Sequence, residues 1–579
     1  MKNLLLIAVI LFPAVIFSKP KLPPNSPKSG GNTYYVSPNG SDNNNGSFNA
    51  PFGTWSKLSD VLVAGDVAYI RGGTYYSQAG DDAWQHCSWE NLNGTATDSI
   101  SILAYPGELP VLDLSNFVPA INDPTAVRLK NSNYVHIKGL RITGLKQNPS
   151  GEGISRGFSV EYSSNNTIEL IELDHIGGYG FMLGSGSNDN LFLNCDAHHL
   201  DDRYTNDWSA WGNANGFQCT GGSNATRNTF DGCRAWWISD DGFDLYGTNG
   251  IFYFKNCWSF WNGYEPGTFN QVGDGDGFKM GPENSGNTHN SILRTYEKCL
   301  AFENAGSGFD QNNGDMRYKL YNNTTYGNGS YGYMFDYISP APVQDLKNNA
   351  SFLDANVRRG NETNGSFNSW NLPSALTSSD FLSISSAGMD GPRQADGSLP
   401  RLNFLRPSAG SKLLNAGTNV GLPFSGSAPE IGAFEVEAVT PNQPPVANAG
   451  ANQSLQLPLS VVTLQGSGTD SDGTIVGYQW AKISGPASGS FLASSNSAQT
   501  NLTSIIAGIF QYELTVTDNN GATGKDTVTI TLLAATNIPP VASAGQDQSI
   551  ILPINSTTLS GTGSDADGTV VSFNWSQVS

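Results

Sequence analysis

A chain of 579 residues with a net charge of −20 is too long for one compact core, and too acidic to take nucleic acid or an anionic membrane surface as a partner. Aromatic residues make up 11% of it, which excludes global disorder. The same charge repels an acidic polymer unless a bound cation lies between the two.

Residues 1–18 read as a signal peptide, with Lys2 as the positive end, an apolar run from Leu4 to Phe17 and the small Ser18 near a cleavage point. The run is too short and too poorly flanked for a membrane anchor, so the protein is expected outside the cell, secreted or at its surface, with no membrane partner. Residues 19–32, rich in Pro, Ser and Gly, read as a linker. Tyr34-Tyr35-Val36 is a short strand, followed by the turn-rich SPNGSDNNNGS. Trp55, Leu58, Val61 and Leu62 then fall at helical spacing. This predicts a short amphipathic helix, placed to cap the first rung of a solenoid before a strand at Val67–Ile70.

From about residue 100 the chain consists of short β-prone runs broken by Gly, Asn, Asp and Ser. A glycine-aromatic pair recurs at Gly157-Phe158, Gly180-Phe181, Gly216-Phe217, Gly242-Phe243, Gly277-Phe278, Gly308-Phe309 and Gly332-Tyr333. The intervals are 23, 36, 26, 35, 31 and 24 residues, too variable for hairpins and suited to coils with loops of different length. After most pairs comes a second strand with a polar-then-small ending: LFLNC, NTFDGC, FYFKNC, TYEKC and YKLYNN. A parallel β-helix accounts for both features. Its coils stack about 4.8 Å apart, with a ladder of interior phenylalanines and stacked Asn and Cys at the turns. An antiparallel sandwich would instead want hairpin turns every 8–12 residues or so. Six cysteines in an exported chain allow three disulfides. Cys195, Cys233, Cys257 and Cys299 recur at one place in successive repeats, however, which makes stacked buried thiols an equal alternative and leaves Cys87 and Cys219 unassigned.

The helical domain, residues 33–436, is expected to close over 400–436 with LPRLNFLRPSAGSKLLNAG and PEIGAFE. After a linker at 437–443, composition shifts to Ser, Thr, Val and Ala. PPVANAGANQS at 444 recurs as PPVASAGQDQS at 539, and the offset of 95 also relates Asp470 to Asp565, Gly473 to Gly568 and Trp480 to Trp575. Strand-like runs and turn signals predict a β-sandwich at 444–533, a linker at 534–538 and a second, incomplete copy at 539–579. TDSDGTIVGYQW and YELTVTDNNGATG resemble PKD-type immunoglobulin-like modules. The fold class is therefore all-β, a parallel β-helix followed by β-sandwich modules, and the protein is expected to be a monomer.

Aligned on the glycine-aromatic pair, the position after the aromatic reads Ser159, Met182, Gln218, Asp244, Lys279, Asp310, Met334. Two positions before it the column reads Arg156, Tyr179, Asn215, Asp241, Asp276, Ser307, Tyr331. Charged and oxygen-bearing side chains concentrate in the middle coils, which a purely structural wall does not require. A lone Asp-Asp-Gly is most often a turn. With Asn215 one coil before and Lys279 one coil after, Asp240, Asp241 and Asp244 read instead as hard oxygen ligands for Ca²⁺, together with Asn215. A lysine beside a bound cation loses preference for its charged form, which makes Lys279 a usable base. Asp274 and Asp276 read as a tight turn rather than a second cation site. His198-His199 reads as an isolated pair on the surface or in packing, without zinc-ligand spacing.

The motifs ANGF (214–217), SDDGFD (239–244) and DGFKMG (276–281), with YYVSPNGSD near the start and APEIGAFE at the close, make residues 33–436 resemble polysaccharide lyase family 9, the right-handed β-helix pectate lyases. The resemblance implies calcium held by four aspartates and a lysine base. Three of the aspartates fall on Asp240, Asp241 and Asp244, and the base on Lys279. The fourth falls on Asn215, a departure that keeps an oxygen and loses a charge. It further implies an acidic plant-type polysaccharide as partner, pectate above all, with β-elimination as the reaction. Three rivals remain. One is a rhamnogalacturonan lyase of the same fold. Another is a glycoside hydrolase using paired carboxylates, whose Gly-His-Gly and Arg-Ile-Lys patterns are missing. The third is a non-catalytic polysaccharide-binding protein.

Overall fold

A computed structural model describes residues 31–77, 85–149, 153–205, 210–219, 224–281, 292–312, 316–335, 344–359, 364–436, 442–519 and 521–579. The expected signal peptide, most of the linker after it and residues 437–441 of the next linker lie outside the described residues. The chain divides into two compact units, Met1–Ala438 and Val439–Ser579.

In the first unit short strands stack in parallel into three sheets. Sheet 1 has ten strands, from Gln85–Glu90 to Asn356–Arg359; sheet 2 has twelve, from Thr33–Val36 to Asn364–Ser366; sheet 3 has ten, from Gly73–Tyr76 to Ala350–Phe352. One coil contributes a strand to each, as Phe243–Asp244, Phe252–Lys255 and Trp258–Phe260 do in turn. This is the predicted β-helix. The glycine-aromatic pairs all lie on sheet 1 in one register: Phe158, Phe181, Phe217, Phe243, Phe278, Phe309 and Tyr333 pair coil to coil. From Phe181 to Tyr333 their rings stack at 4.8, 4.6, 4.8, 4.7 and 5.3 Å. A second ladder on sheet 2, Phe192–Phe230–Phe254–Tyr296, stacks at 4.8, 5.0 and 4.7 Å and meets the first edge-on. Each such pair adds about 0.5–1.5 kcal/mol beyond the burial of its area. Glycine precedes the aromatic because neighbouring coils press on that position. A Cβ on Gly242 would lie 1.9 Å from the Ser259 hydroxyl.

The polar-then-small endings have an equally local cause. Asn194, Gly232, Asn256, Lys298, Asn322 and Asn348 all have φ between 52° and 66°, the left-handed region that Asn and Gly enter at least cost. The next residue then turns into the core. Cys195, Cys233 and Cys257 there donate to the carbonyls of Ile168, Phe192 and Phe230 in the preceding coil at 3.3–3.4 Å. Further along the same stack Asn323 donates to Asn349 and Asn349 to Asn368, both at 3.0 Å. Asparagine ladders also link Asn166–Asn190–Asn228 and Asn262–Asn304–Asn328. All six cysteines are buried free thiols, so the disulfide alternative is excluded.

Both ends of the helix depart from expectation. The predicted amphipathic helix is a single 3₁₀ turn, Ser56–Asp60, because the chain reverses at Gly65 (φ 92°) into the strand Val67–Ile70 before a second turn can form. It still covers the first rungs: Leu58 is buried, and the Trp89 indole donates to the Trp55 carbonyl at 2.9 Å. At the other end the last coil strand is Asn364–Ser366, and Trp370 packs on Tyr333 at 5.2 Å. The segment 400–436 does not close the coil. It lies along the outside of sheet 3, where Phe404, Leu405, Leu413 and Ile431 bury an outward row of Trp236, Phe260, Phe302, Tyr326 and Phe352. A sheet with an aromatic outer face has to be covered, and this segment covers it.

In the second unit, Gln453–Gln456, Ile475–Ser484, Gly508–Asp518 and Thr523–Leu533 form one sheet, and Val462–Gln465, Phe491–Leu492 and Gln499–Thr503 another, around Trp480, Leu464, Tyr512, Leu514 and Val528. The pairing of Val446–Asn448 with Ser467–Thr469 recurs 95 residues later between Val541–Ser543 and Thr562–Ser564.

Replacing Asn304 by Ala strips acceptors from the Asn262 amide groups and a donor from Asn328. The expected cost is about 2–4 kcal/mol, read as a lowered urea midpoint at unchanged slope. All six thiols are expected to resist a thiol reagent in the native protein and to react once it is unfolded; rapid native labelling would contradict the buried stack.

Candidate functional site

The register that stacks the phenylalanines also stacks the polar column after them: Gln218 pairs with Asp244, Asp244 with Lys279, and Lys279 with Asp310. In the second column each side chain reaches the next coil. Asn215 Oδ1 accepts the Asp241 N–H at 3.0 Å, Asp241 Oδ1 the Asp276 N–H at 2.7 Å, and Asp276 Oδ1 the Ser307 N–H at 2.6 Å. The two columns join across the face. Lys279 Nζ donates to Asp241 Oδ2 at 2.9 Å, and Asn215 Nδ2 donates to Asp244 Oδ2 at 3.1 Å and to Gln218 Oε1. Asp240 Oδ1 accepts the Asp274 N–H at 3.1 Å. Asn215, Asp240, Asp241, Asp244 and Lys279, all singled out in the sequence, thus come together in one cluster.

Further acids belong to it. Asp276 is buried in the second column, while Gly275 (φ 72°) makes the turn and Asp274 is exposed, 3.7 Å from the lysine. Asp310 interacts with Asp276 one coil beyond Lys279. Asp202, fully buried on the other side, accepts from Ser239 Oγ at 3.2 Å and from Thr205 Oγ1 at 3.1 Å. The alignment columns already contained Asp276 and Asp310. Asp202 follows a sheet 3 strand, where no repeat marks it. His198 is not isolated either. It stacks on Trp236 at 4.2 Å and shares a carboxylate–imidazole group with Glu172 and Asp174, both of which also pair with Arg141.

The electrostatics of the main cluster are unbalanced. Burial pushes the Asp240 carboxyl well above the usual range, and Asp241 adds to this; burial likewise raises Asp241. Burial takes Asp244 up to about 7, with Lys279 opposing. Asp276 rises through burial and its neighbours Asp310 and Asp241. Burial alone would lower Lys279, yet Asp241, Asp244, Asp240 and Asp276 outweigh it and hold the ammonium well above its ordinary value. This is opposite to the fall expected of a lysine beside a cation, because the carboxylates of Asp241, Asp244, Asp240 and Asp276 face the lysine directly. One ammonium cannot neutralise Asp240, Asp241, Asp244 and Asp276. The donor set is all hard oxygen, of the kind that takes Ca²⁺, so these residues fit such an ion. Cavities of about 410 and 430 Å³ lie elsewhere, on sheets 2 and 3, and neither gathers an excess of buried carboxylates around one lysine.

Comparison with known proteins agrees with this architecture. The family model described as "Pel9A-like, right handed beta helix region" matches residues 34–349, and "K319L-like, PKD domain" matches 449–532 and 544–579. Pectate lyase L of Dickeya dadantii (strain 3937) is 33% identical over 415 residues, covering 69% of this chain and 90% of that protein. The crystal structure of pectate lyase Pel9A superposes with a TM-score of 0.61 at 30% identity, covering 70% of this chain and 96% of that one. A structure named rhamnogalacturonan lyase gives 0.60 at 31%, covering 66% and 97%. The chain therefore belongs to the Pel9A-like family of right-handed β-helix proteins and is a polysaccharide lyase of the pectate lyase type, with PKD-type modules after its helical domain.

Proposed function

We propose that the protein is a secreted, calcium-dependent lyase that cleaves pectate by β-elimination, with Lys279 as the base and Asn215, Asp240, Asp241 and Asp244 holding the ion. The observation that carries this reading is Lys279 Nζ, 2.9 Å from Asp241 and in register with Asp244, inside a cluster with more buried acid than one ammonium can balance. Calcium, when bound, would supply the missing positive charge, draw a uronate carboxylate to an otherwise repellent acidic face and acidify the proton on carbon 5. The protein's own part is to hold Nζ. Asp241 fixes it from beneath, and the side chain is only 14% exposed, so water is kept from it. Neutral Nζ takes the carbon-5 proton, the bond from carbon 4 to its oxygen breaks, and a 4,5-unsaturated end forms. The departing oxygen takes its proton from solvent, and no water is added across the bond.

The electrostatics set the order of events. With the carboxylates uncompensated, Lys279 stays charged and is no base. With a dication to offset them, burial would be the remaining influence and would lower its pKa. Activity then rises with pH through that lowered value, since the deprotonated form is the competent one. A rhamnogalacturonan backbone is the second reading, favoured by the similarity to a rhamnogalacturonan lyase at 31% identity. Export rests on the signal-peptide pattern of residues 1–18, and among the described residues no helix is long and apolar enough to cross a membrane.

The test is ultraviolet absorbance of unsaturated uronate released from polygalacturonate and from rhamnogalacturonan, with and without Ca²⁺. Lys279→Ala is expected to lose at least about 100-fold in kcat, and chelator to abolish wild-type turnover. Unchanged product formation by Lys279→Ala would exclude this base, and full activity in chelator would exclude the metal.

Stability gives a readout independent of turnover. In chelator, Asp244 keeps its proton to about pH 7, against 3.8 for the ordinary carboxyl. The stability this contributes is full below the unfolded value and is lost as pH rises through the folded one. Unfolding free energy in chelator should therefore fall between those pH values, and Ca²⁺ should restore it, by about 2.7 kcal/mol at 100 times its Kd. Asp244→Asn should flatten the pH dependence; an equally steep profile in that variant would contradict the assignment.

A further inference from the structure

Sheet 1 continues past the acidic cluster in both directions. Towards higher-numbered coils the columns present Asp276, Asp310 and Met334, and Met334 pairs with Arg359. Towards lower-numbered coils they present Tyr179, Met182, Arg156, Ser159 and then Arg128, with Arg156 two positions before the ladder residue Phe158, as Asn215 and Asp241 stand before theirs. On this side polar atoms lack partners. The Nε atoms of Arg156 and Arg128 and the hydroxyl of Ser159 are buried without a hydrogen bond, and Ser159 has no exposed surface at all. Ser159 lies directly between Arg128 and Met182 in the register.

Unsatisfied buried donors are costly, and the part of this group that a ligand from solution can reach is the Arg156 side chain, 27% exposed. The protein's own acids meet this need incompletely. Glu90 engages Arg128 through Nη2, and Asp123 approaches Arg156 Nη2 only to 3.4 Å, with 42% of the Asp123 side chain in solvent. An exposed pair of that kind contributes about 0–1 kcal/mol and yields to a better ligand. Tyr179 connects this region to the main cluster, since its hydroxyl senses Asp244 and Asp240 as well as Arg156.

Resting on the lyase reading above, we propose that Arg156, with Ser159 and Arg128 behind it, forms an anion subsite that grips a carboxylate of the acidic polysaccharide several sugar units from the bond being broken, so that the polymer lies along sheet 1 from the lysine towards the lower-numbered coils. Arg156 stands three coils before Asp241, about 14 Å along the helix axis at the usual strand spacing. The subsite is thus out of reach of the shortest substrates and engages longer ones. Asp276 and Asp310 themselves bring no positive charge to the columns in the other direction. Arg156 and Ser159 are positioning residues; they do not touch the reacting atoms.

The experiment measures kcat and KM for oligogalacturonates of increasing length with the calcium-loaded full chain, comparing wild type, Arg156→Ala, Arg156→Lys and Ser159→Ala. Arg156→Ala is expected to raise KM about 10-fold on long oligomers with kcat unchanged and to leave the shortest cleavable oligomer unaffected. Arg156→Lys should recover part of the loss by keeping the charge without the fork, and the difference should shrink at high salt. A KM unchanged at every length, or raised equally at every length together with a lowered melting temperature, would overturn the subsite and leave Arg156 a structural residue. Absence of unsaturated product from the wild type on any acidic polymer would instead overturn the lyase reading, and this inference with it.

Discussion

Everything in the helical unit depends on coil-to-coil register. In a parallel sheet a slip of one residue exchanges the inner and outer faces. Here it would send Phe243 and Phe278 outward and turn Asp244 and Lys279 into the core. The aromatic ladders and the asparagine stacks make that slip prohibitive, because each ring and each amide is seated on its equivalent in the next coil. The acidic cluster exists because the register is held elsewhere: interior stacking forces like-charged side chains onto adjacent strands about 4.8 Å apart.

That enforced proximity creates the site's central property. Buried carboxylates from successive coils cannot all ionise around a single ammonium, so the acids are held above their usual range and the lysine above its own. On the proposed function a divalent cation would resolve both at once: it would let the acids ionise and remove the field that keeps Lys279 charged. The same cation would answer the question posed by the composition, how a chain of net charge −20 handles an acidic polymer, by converting a local repulsion into attraction.

Much of this was legible in the sequence because it rests on steric demands that recur. The glycine before each aromatic is required by coil contact, and the Asn or Gly before each Cys by a left-handed backbone, so both columns could be aligned without coordinates. Alignment of those columns brought Asn215, Asp241, Asp244 and Lys279 together. What escaped was set by tertiary context. Asp202 comes from the end of a sheet 3 strand and carries no repeat signature. The 400–436 segment looked like a closing rung because its apolar residues are real, but they cover a neighbouring aromatic face instead of extending a sheet. The helical spacing at Trp55–Val63 was also real, yet a reversal at Gly65 left room for only one 3₁₀ turn. The free thiols show the same logic from the other side, since a repeat position that accepts Cys or Asn alike needs a small side chain that donates to the preceding coil, as Asn323 does to the Tyr296 carbonyl, not a covalent bridge.

The central claim is that a dication converts Lys279 from a charged structural partner into a base. The most direct measurement is the titration of the Lys279 ammonium by nitrogen-15 NMR on lysine-labelled protein, with saturating Ca²⁺ and in chelator, assigned by comparison with Lys279→Arg. The account predicts a pKa well above that of ordinary lysines in chelator and a marked fall when Ca²⁺ is added. A Lys279 pKa that stays put, or rises, on calcium binding would contradict it.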